Sequence, residues 1–232
     1  LNHDAEDPVA AGLVRLKAAT PEGRVLREQL YEALELKNTE FNAHGVELNQ
    51  RYASCAVIPD PTVGEEEWPR DRELYLQATT RPGAKIPHAW LVGADGRRVS
   101  TLDVTGKGMM TVLTGLAGTA WKRAAEKLDL PFLRTVVVGE PGTADPYGYW
   151  RQVREIPEAG ALLVRPDGYI AWRHNAEVWD DDEALALLEN ALCIILDRPN
   201  RRQDADHASS TKPQYSTRAV DIVVPMHTPD TA

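Results

Sequence analysis

The chain has 232 residues, of which 43 % are hydrophobic and 26 % are charged, a composition typical of a folded globular protein. Its formal net charge of −9 argues against a nucleic-acid or anionic-membrane partner, because either would require a basic face. No apolar run approaches the roughly 20 residues of a membrane helix, and no signal-peptide pattern is present, so we expect a cytoplasmic protein without a membrane partner.

The first region, residues 1–58, contains a predicted helix. Thr20 is suited to be its N-cap, and Pro21 fits the first helical position. Apolar residues then recur at helical spacing, at Leu26, Leu30, Ala33, Leu34 and Phe41. Gly45 is expected to end this helix, and residues 52–58 are apolar enough to form a strand.

Residues 59–87 are predicted to form a long connection without regular structure. They contain five prolines and three consecutive glutamates at 65–67. A connection of this length inside a compact domain is uncommon, and it usually marks a surface segment or a domain boundary. We therefore place the main domain boundary in this segment.

The third region, residues 88–198, alternates predicted strands and helices. Strands are expected at 88–92, in a segment ending at 104, and at 109–113, 133–138, 161–164 and 169–172, with helices from 118, around 149–153 and from 180. The turn Arg165-Pro166-Asp167-Gly168 has the composition of a hairpin. This order of elements is typical of an α/β, thioredoxin-like domain. Residues 199–232 are polar and are predicted to form a tail.

A thioredoxin-like domain prompts a search for a redox dithiol, which would lie here at residues 114–118. That segment reads Thr-Gly-Leu-Ala-Gly and has no cysteine. The two cysteines, Cys55 and Cys193, are far apart and show neither a Cys-x-x-Cys nor a zinc spacing, and the six histidines show no metal-ligand spacing. We therefore expect two buried free thiols in a reducing cytoplasm, no metal site, and a structural or assembly role for this domain.

Several segments of the chain resemble, in the same order, segments of one known protein family. They are residues 41–52, 82–84, 87–91, 100–103, 106–108, 111–115, 145–147 and 160–167. Together they resemble the FAD-dependent aromatic-ring hydroxylases of the phenol and chlorophenol monooxygenase type, over roughly residues 20–198.

The resemblance implies an enzyme in which NAD(P)H reduces FAD and O₂ supplies a hydroxyl group to a small phenolic substrate. It also implies a thioredoxin-like C-terminal domain without the redox cysteines. This domain often contributes to dimer contacts in the family, so a dimerisation role and a homo-oligomer are expected. Residues 1–58 would be the helical remainder of the preceding flavin/substrate domain. The dinucleotide fingerprint and the later Gly-Asp flavin motif are absent from this sequence. FAD would therefore be bound by an N-terminal half, and no residue here is assigned as catalytic, cofactor-binding or metal-binding.

Four polar or aromatic residues in the segment 41–52 are candidates for a seam with the flavin-bearing half: Asn42, His44, Arg51 and Tyr52. His44 could instead donate to the last carbonyls of the first helix, or take part in acid–base chemistry. Arg51 could instead be an ordinary surface residue.

A second hypothesis is a stand-alone, non-catalytic binding or assembly module with a thioredoxin-like fold. It explains the missing flavin half directly. The ordered set of family segments favours the first hypothesis, that the chain is the C-terminal part of a hydroxylase and is inactive by itself.

Overall fold

The computed structural model describes residues 7–198. Its helices are α1 (Pro8–Lys17), α2 (Pro21–Phe41), α3 (His44–Leu48), α4 (Thr101–Val104), α5 (Thr119–Leu128), α6 (Tyr149–Val153) and α7 (Asp181–Ile195). Its strands are β1 (Trp90–Val92), β2 (Arg98–Ser100), β3 (Met110–Gly115), β4 (Leu133–Val138), β5 (Ala161–Val164) and β6 (Ile170–His174).

Four strands form one mixed sheet in the order β4-β3-β5-β6. Strands β3 and β4 are parallel, with Met110 opposite Leu133, and α5 supplies the crossover that parallel neighbours require. Strand β5 is antiparallel to both of its neighbours. The separate pair β1 and β2 is antiparallel. The predicted mixed α/β class is confirmed.

Both faces of the sheet are covered, so the central strands β3 and β5 are buried along their whole length. On one face, α5 and α7 pack over Val112 and Leu163. On the other face, Leu113 and Leu162 pack beneath residues of β1 and α6. This explains why these strands read as continuous apolar runs and not as alternating ones.

The connection at residues 59–87 contains no helix or strand, and it is attached to the sheet. Gly83 N–H donates to the carbonyl of Ile170 at 2.8 Å, and Ile170 N–H donates to the carbonyl of Ala84 at 2.9 Å. Ile86 N–H donates to the Gly168 carbonyl at 2.9 Å. The connection therefore satisfies backbone groups of the edge strand β6, which would otherwise be open to association with other chains.

A buried arginine holds the connection in place. Arg173 of β6 is 6 % exposed. Its Nε donates to Asp60 Oδ2 at 2.7 Å, and its Nη1 donates to Glu155 Oε2 at 3.2 Å. The same Glu155 oxygen accepts from Thr79 Oγ1 at 2.7 Å and from Thr80 N at 2.8 Å. Asp60 near the start of the connection and the two threonines toward its end are thus joined to one charge cluster around Arg173.

Two predictions about residues 41–58 are wrong. Helix α2 ends at Phe41, and Gly45 lies inside α3, where a Cβ atom would come within 1.9 Å of the Arg72 carbonyl oxygen. Gly45 is therefore required for a close backbone approach and does not terminate α2. Residues 52–58 form no strand, because a turn closes where Val57 N–H donates to the Ser54 carbonyl at 3.0 Å.

Two further differences arise from helix capping. The predicted strand ending at 104 stops at Ser100, whose side chain accepts from Leu102 N–H while its own N–H donates to Asp103, and this capping box starts α4. Helix α1, which the sequence did not predict, begins where Asp7 Oδ1 accepts from two backbone N–H groups and Pro8 occupies the first turn.

Replacing the buried guanidinium should destabilise the fold strongly. Arg173→Met keeps the bulk of the side chain but leaves the carboxylate of Asp60, 3 % exposed, without its cation. We expect a loss of about 3–5 kcal/mol in the free energy of unfolding, measured by urea titration. The control Arg123→Gln breaks an exposed pair with Asp181 and should cost about 0–1 kcal/mol. Equal losses for both variants would contradict the assignment.

The same cluster predicts that part of the free energy of unfolding is lost in acid. Burial alone raises the pKa of Asp60, but hydrogen bonds from Thr62 and contact with Arg173 outweigh burial, so its pKa lies below the ordinary 3.8. Such a carboxylate stabilises the fold above its unfolded pKa, and the stabilisation is lost as pH falls through the folded pKa. The stability gap between wild type and Asp60→Asn should therefore shrink below pH 3.8. A gap in urea titrations that does not change with pH would refute this.

Candidate functional site

The paired helices α1 and α2 expose most of their apolar side chains. Helix α1 has no buried residue, and in the 21-residue α2 only Gly23 is buried. We call this the helical surface; its exposed large apolar residues are Val9, Leu13, Val14, Val25, Leu30, Tyr31, Leu34, Leu36 and Phe41. A groove of about 280 Å³ lies between the two helices. Exposed apolar surface of this extent is typical of a face that another protein segment covers.

Two of the four predicted seam residues are exposed where α2 meets α3. Asn42 caps the end of α2 through its N–H, which donates to the Asn38 carbonyl at 2.8 Å. His44 is the first residue of α3, and its N–H donates to the Asn42 carbonyl at 2.9 Å. His44 therefore lies outside α2, the helix that was predicted to begin after Thr20. The predicted donation from its imidazole to the last carbonyls of that helix is wrong.

The other two seam residues are engaged with neighbouring parts of the chain. Arg51 binds Glu66 through two hydrogen bonds, Nε to Oε2 at 2.8 Å and Nη2 to Oε1 at 2.7 Å. Burial alone raises the pKa of Glu66, but hydrogen bonds from Arg51 and Gln77 outweigh it and lower that pKa. The Tyr52 ring packs edge-to-face on Tyr169 at 4.6 Å. Arg51 is therefore not a free surface residue.

The structure does not bring the four predicted residues together. Within residues 7–198, no hydrogen bond, ion pair or ring contact joins Asn42 or His44 to Arg51 or Tyr52. Asn42 and His44 are exposed beside the end of α2. Arg51 and Tyr52 instead contact the connection and the β5–β6 hairpin.

Sequence reasoning missed Asn49, which organises the connection. Asn49 is 3 % exposed. Its Nδ2 donates to the carbonyls of Arg72 at 2.8 Å and Tyr75 at 2.7 Å, and its Oδ1 accepts from Gln77 N–H at 2.9 Å. These partners lie 23 to 28 residues away, so no local pattern could have identified them.

Within residues 7–198, the thiols and acids form no redox or metal site. The prediction that both thiols are buried is wrong: Cys55 is exposed in the segment before the connection, and Cys193 on α7 is only partly buried. Among the residues that the structure describes, no group of three or more His, Cys, Asp or Glu could hold a metal ion. In the same part of the chain, no helix is long and apolar enough to cross a membrane.

Comparison with known proteins adds a family and several relatives. Residues 79–199 match the C-terminal domain of aromatic-ring hydroxylases. The chain is 44 % identical to 2,4-dichlorophenol 6-monooxygenase of Delftia acidovorans, over 82 % of this chain and 33 % of that enzyme. It is 40 % identical to phenol 2-monooxygenase of Pseudomonas sp. strain EST1001, over 81 % of this chain and 31 % of that enzyme.

A solved structure of a flavin-dependent monooxygenase is also similar to this chain. The crystal structure of the flavin-dependent monooxygenase PieE, in complex with FAD and substrate, superposes with a TM-score of 0.63 and 42 % identity. The match covers 81 % of this chain and 32 % of that protein. The chain therefore spans about a third of the length of the relatives it matches.

The two thiols should differ in reactivity. Burial raises the pKa of Cys193, which keeps it protonated, and the thiolate is the nucleophile. We expect iodoacetamide at about pH 7.5 to alkylate the exposed Cys55 at least about tenfold faster than Cys193, as followed by peptide mass spectrometry. Cys55→Ser should leave only the slow reaction. Rapid alkylation of Cys193 in that variant would reveal an activated thiol and contradict the assignment.

Proposed function

We propose that this chain, which belongs to the aromatic-ring hydroxylase family, is the C-terminal part of a flavin-dependent monooxygenase. The proposed enzyme hydroxylates a phenolic ring. The observation that carries this proposal is the 44 % identity to a chlorophenol monooxygenase over 82 % of the chain. In the proposed whole enzyme, NAD(P)H reduces FAD, and O₂ supplies the oxygen of the new hydroxyl group.

The contribution of this chain to that enzyme is proposed to be structural. The matched segment is about a third of each relative, so we place the FAD site in the remaining part and assign no residue here to the reaction. Alone, the chain should be inactive. The helical surface is proposed to pack against the flavin/substrate part, which its exposed apolar side chains support.

The seam with the flavin/substrate part is proposed to continue through Asn42 and His44, which lie exposed at the end of α2. Arg51 and Tyr52 would support that seam indirectly. They bind the connection and the β5–β6 hairpin and so limit the movement of the segment that follows α3.

We also infer that residues 88–198 form a thioredoxin-like domain without the redox dithiol. The parallel pair β3 and β4, the β5–β6 hairpin, and the helices α5 and α7 on one face support this inference. Residues 1–58 would then be the helical remainder of the flavin/substrate domain, and 59–87 the connection. Residues 199–232, predicted to be a tail, lie outside the described residues. A cytoplasmic homo-oligomer is proposed for the whole enzyme.

A fusion tests the proposed function. This chain replaces the matching C-terminal third of the Delftia 2,4-dichlorophenol 6-monooxygenase, and FAD content and substrate-dependent NAD(P)H oxidation are measured. We expect the fusion to retain FAD and to hydroxylate 2,4-dichlorophenol, because the same faces would be in contact. A folded fusion that binds FAD but never hydroxylates the phenol would contradict the proposal.

The helical surface can be tested in the same fusion. Leu30→Glu combined with Leu34→Glu places two charges on the proposed contact and should lower FAD retention through loss of packing. The control Ile194→Glu changes an apolar residue of similar exposure on α7, outside the helical surface, and should leave FAD retention unchanged. Equal effects of both changes would argue against the contact.

A further inference from the structure

A cavity of about 640 Å³ opens beside the carboxyl ends of the parallel strands β3 and β4. Its apolar walls are Leu116, Val138 and Pro146. Ligands of open α/β sheets commonly bind outside the carboxyl ends of the strands, because the chain leaves the sheet there and forms a crevice. The volume lies within the range of about 300–1,000 Å³ that small-molecule sites occupy.

Two buried polar atoms of residues lining this cavity have no hydrogen-bond partner within the described part of the chain. They are Oδ1 of Asp145 and Nε1 of Trp150, a residue only 1 % exposed. The other oxygen of Asp145 accepts from Arg151 N–H at 3.1 Å, which orients the carboxylate. By contrast, Trp121, the other fully buried tryptophan, donates its indole N–H to the Ala159 carbonyl at 2.8 Å.

Such atoms are normally paired in native proteins, so their chemistry indicates what they bind. The indole N–H can only donate, and an ionised carboxylate can only accept. A hydroxyl group does both, and it could accept from Trp150 while it donates to Asp145. A hydroxyl therefore fits these two atoms better than a simple cation or anion.

The cavity also presents two arginines. Arg151 and Arg154 line it, and neither guanidinium has a hydrogen bond or an ion pair with any residue in the range 7–198. Guanidinium groups match the planar geometry of a carboxylate. Asp145 and Glu158 also line the cavity, so its four charged residues have no net formal charge, which favours a monoanion over a doubly charged phosphate ester.

An aromatic ring suits the space between these groups. The Tyr147 side chain is 73 % exposed at this cavity, and its ring lies 5.9 Å from that of Tyr149. Exposed tyrosine rings bind planar apolar groups by stacking or edge contact.

We propose that this cavity binds a small aromatic hydroxy acid. The ligand hydroxyl lies between Asp145 and Trp150, its ring contacts the apolar walls, and its carboxylate binds Arg151 and Arg154. This site goes beyond the proposed monooxygenase function, because it uses only residues of this chain and requires neither FAD nor NAD(P)H.

The test uses the 232-residue chain, with 4-hydroxybenzoate as the probe and NMR of the tryptophan indole N–H groups as the readout. The sequence has six tryptophans, and the resonance lost in Trp150→Phe identifies Trp150. We expect 4-hydroxybenzoate to shift that resonance saturably. Benzoate, which lacks the hydroxyl, and phenol, which lacks the carboxylate, should each bind at least about tenfold more weakly.

Variants of the two arginines keep the test valid if Trp150→Phe does not fold. Arg151→Gln combined with Arg154→Gln should weaken 4-hydroxybenzoate at least about tenfold, with little change for phenol. The control Arg123→Gln, on α5 outside the cavity lining, should bind like wild type.

Three results would each overturn the proposal. One is an absence of any indole shift up to about 10 mM 4-hydroxybenzoate, as expected if only water meets the two atoms. The second is equal binding of the three probes. The third is unchanged 4-hydroxybenzoate affinity in the double arginine variant.

Discussion

The arrangement of this protein depends on the buried guanidinium of Arg173. A charge in the interior is costly unless it is paired and hydrogen-bonded, so the strand that carries it needs carboxylates nearby. One is Asp60, 113 residues earlier in the chain, and the other is Glu155, which also holds the two threonines at the end of the connection. A connection without regular structure is thereby fixed to the sheet, because its departure would leave a buried charge unpaired.

Polar contacts hold much of the rest of the connection, and the apolar residues Ala84 and Ile86 are buried near its end. Asn49 binds three backbone groups, and Arg51 forms a two-bond pair with Glu66. Gly83 permits the backbone to approach Tyr52, since a Cβ atom there would lie 2.3 Å from the Tyr52 carbonyl oxygen. Each contact has a strict geometry, so the segment is specific in position although it contains no helix or strand.

The helical surface and the cavity beside β3 and β4 both face outward, and they differ in chemistry. The helical surface is apolar and broad, and it suits a partner segment of protein. The cavity beside β3 and β4 is lined by residues with unpaired buried polar atoms and by arginines without partners in residues 7–198, so it suits a small polar ligand. An exposed apolar surface is typical of contact with another protein segment, whereas unpaired polar atoms in a crevice are typical of a small-ligand site.

The sequence by itself determined the elements whose signals are local. Strand β4 and helix α6 occupy the predicted residues 133–138 and 149–153, and the hairpin turn lies at Arg165–Gly168, because apolar runs, helical periodicity and turn residues act over a few positions. The family segments likewise needed only residue identity. Tertiary structure alone decided that Gly45 is a contact point, that Arg51 faces Glu66, that Arg173 is buried, and that Asp145 and Trp150 share a cavity. Partners up to 113 residues apart, or on different elements, are selected by packing and charge pairing in three dimensions, which no local pattern encodes.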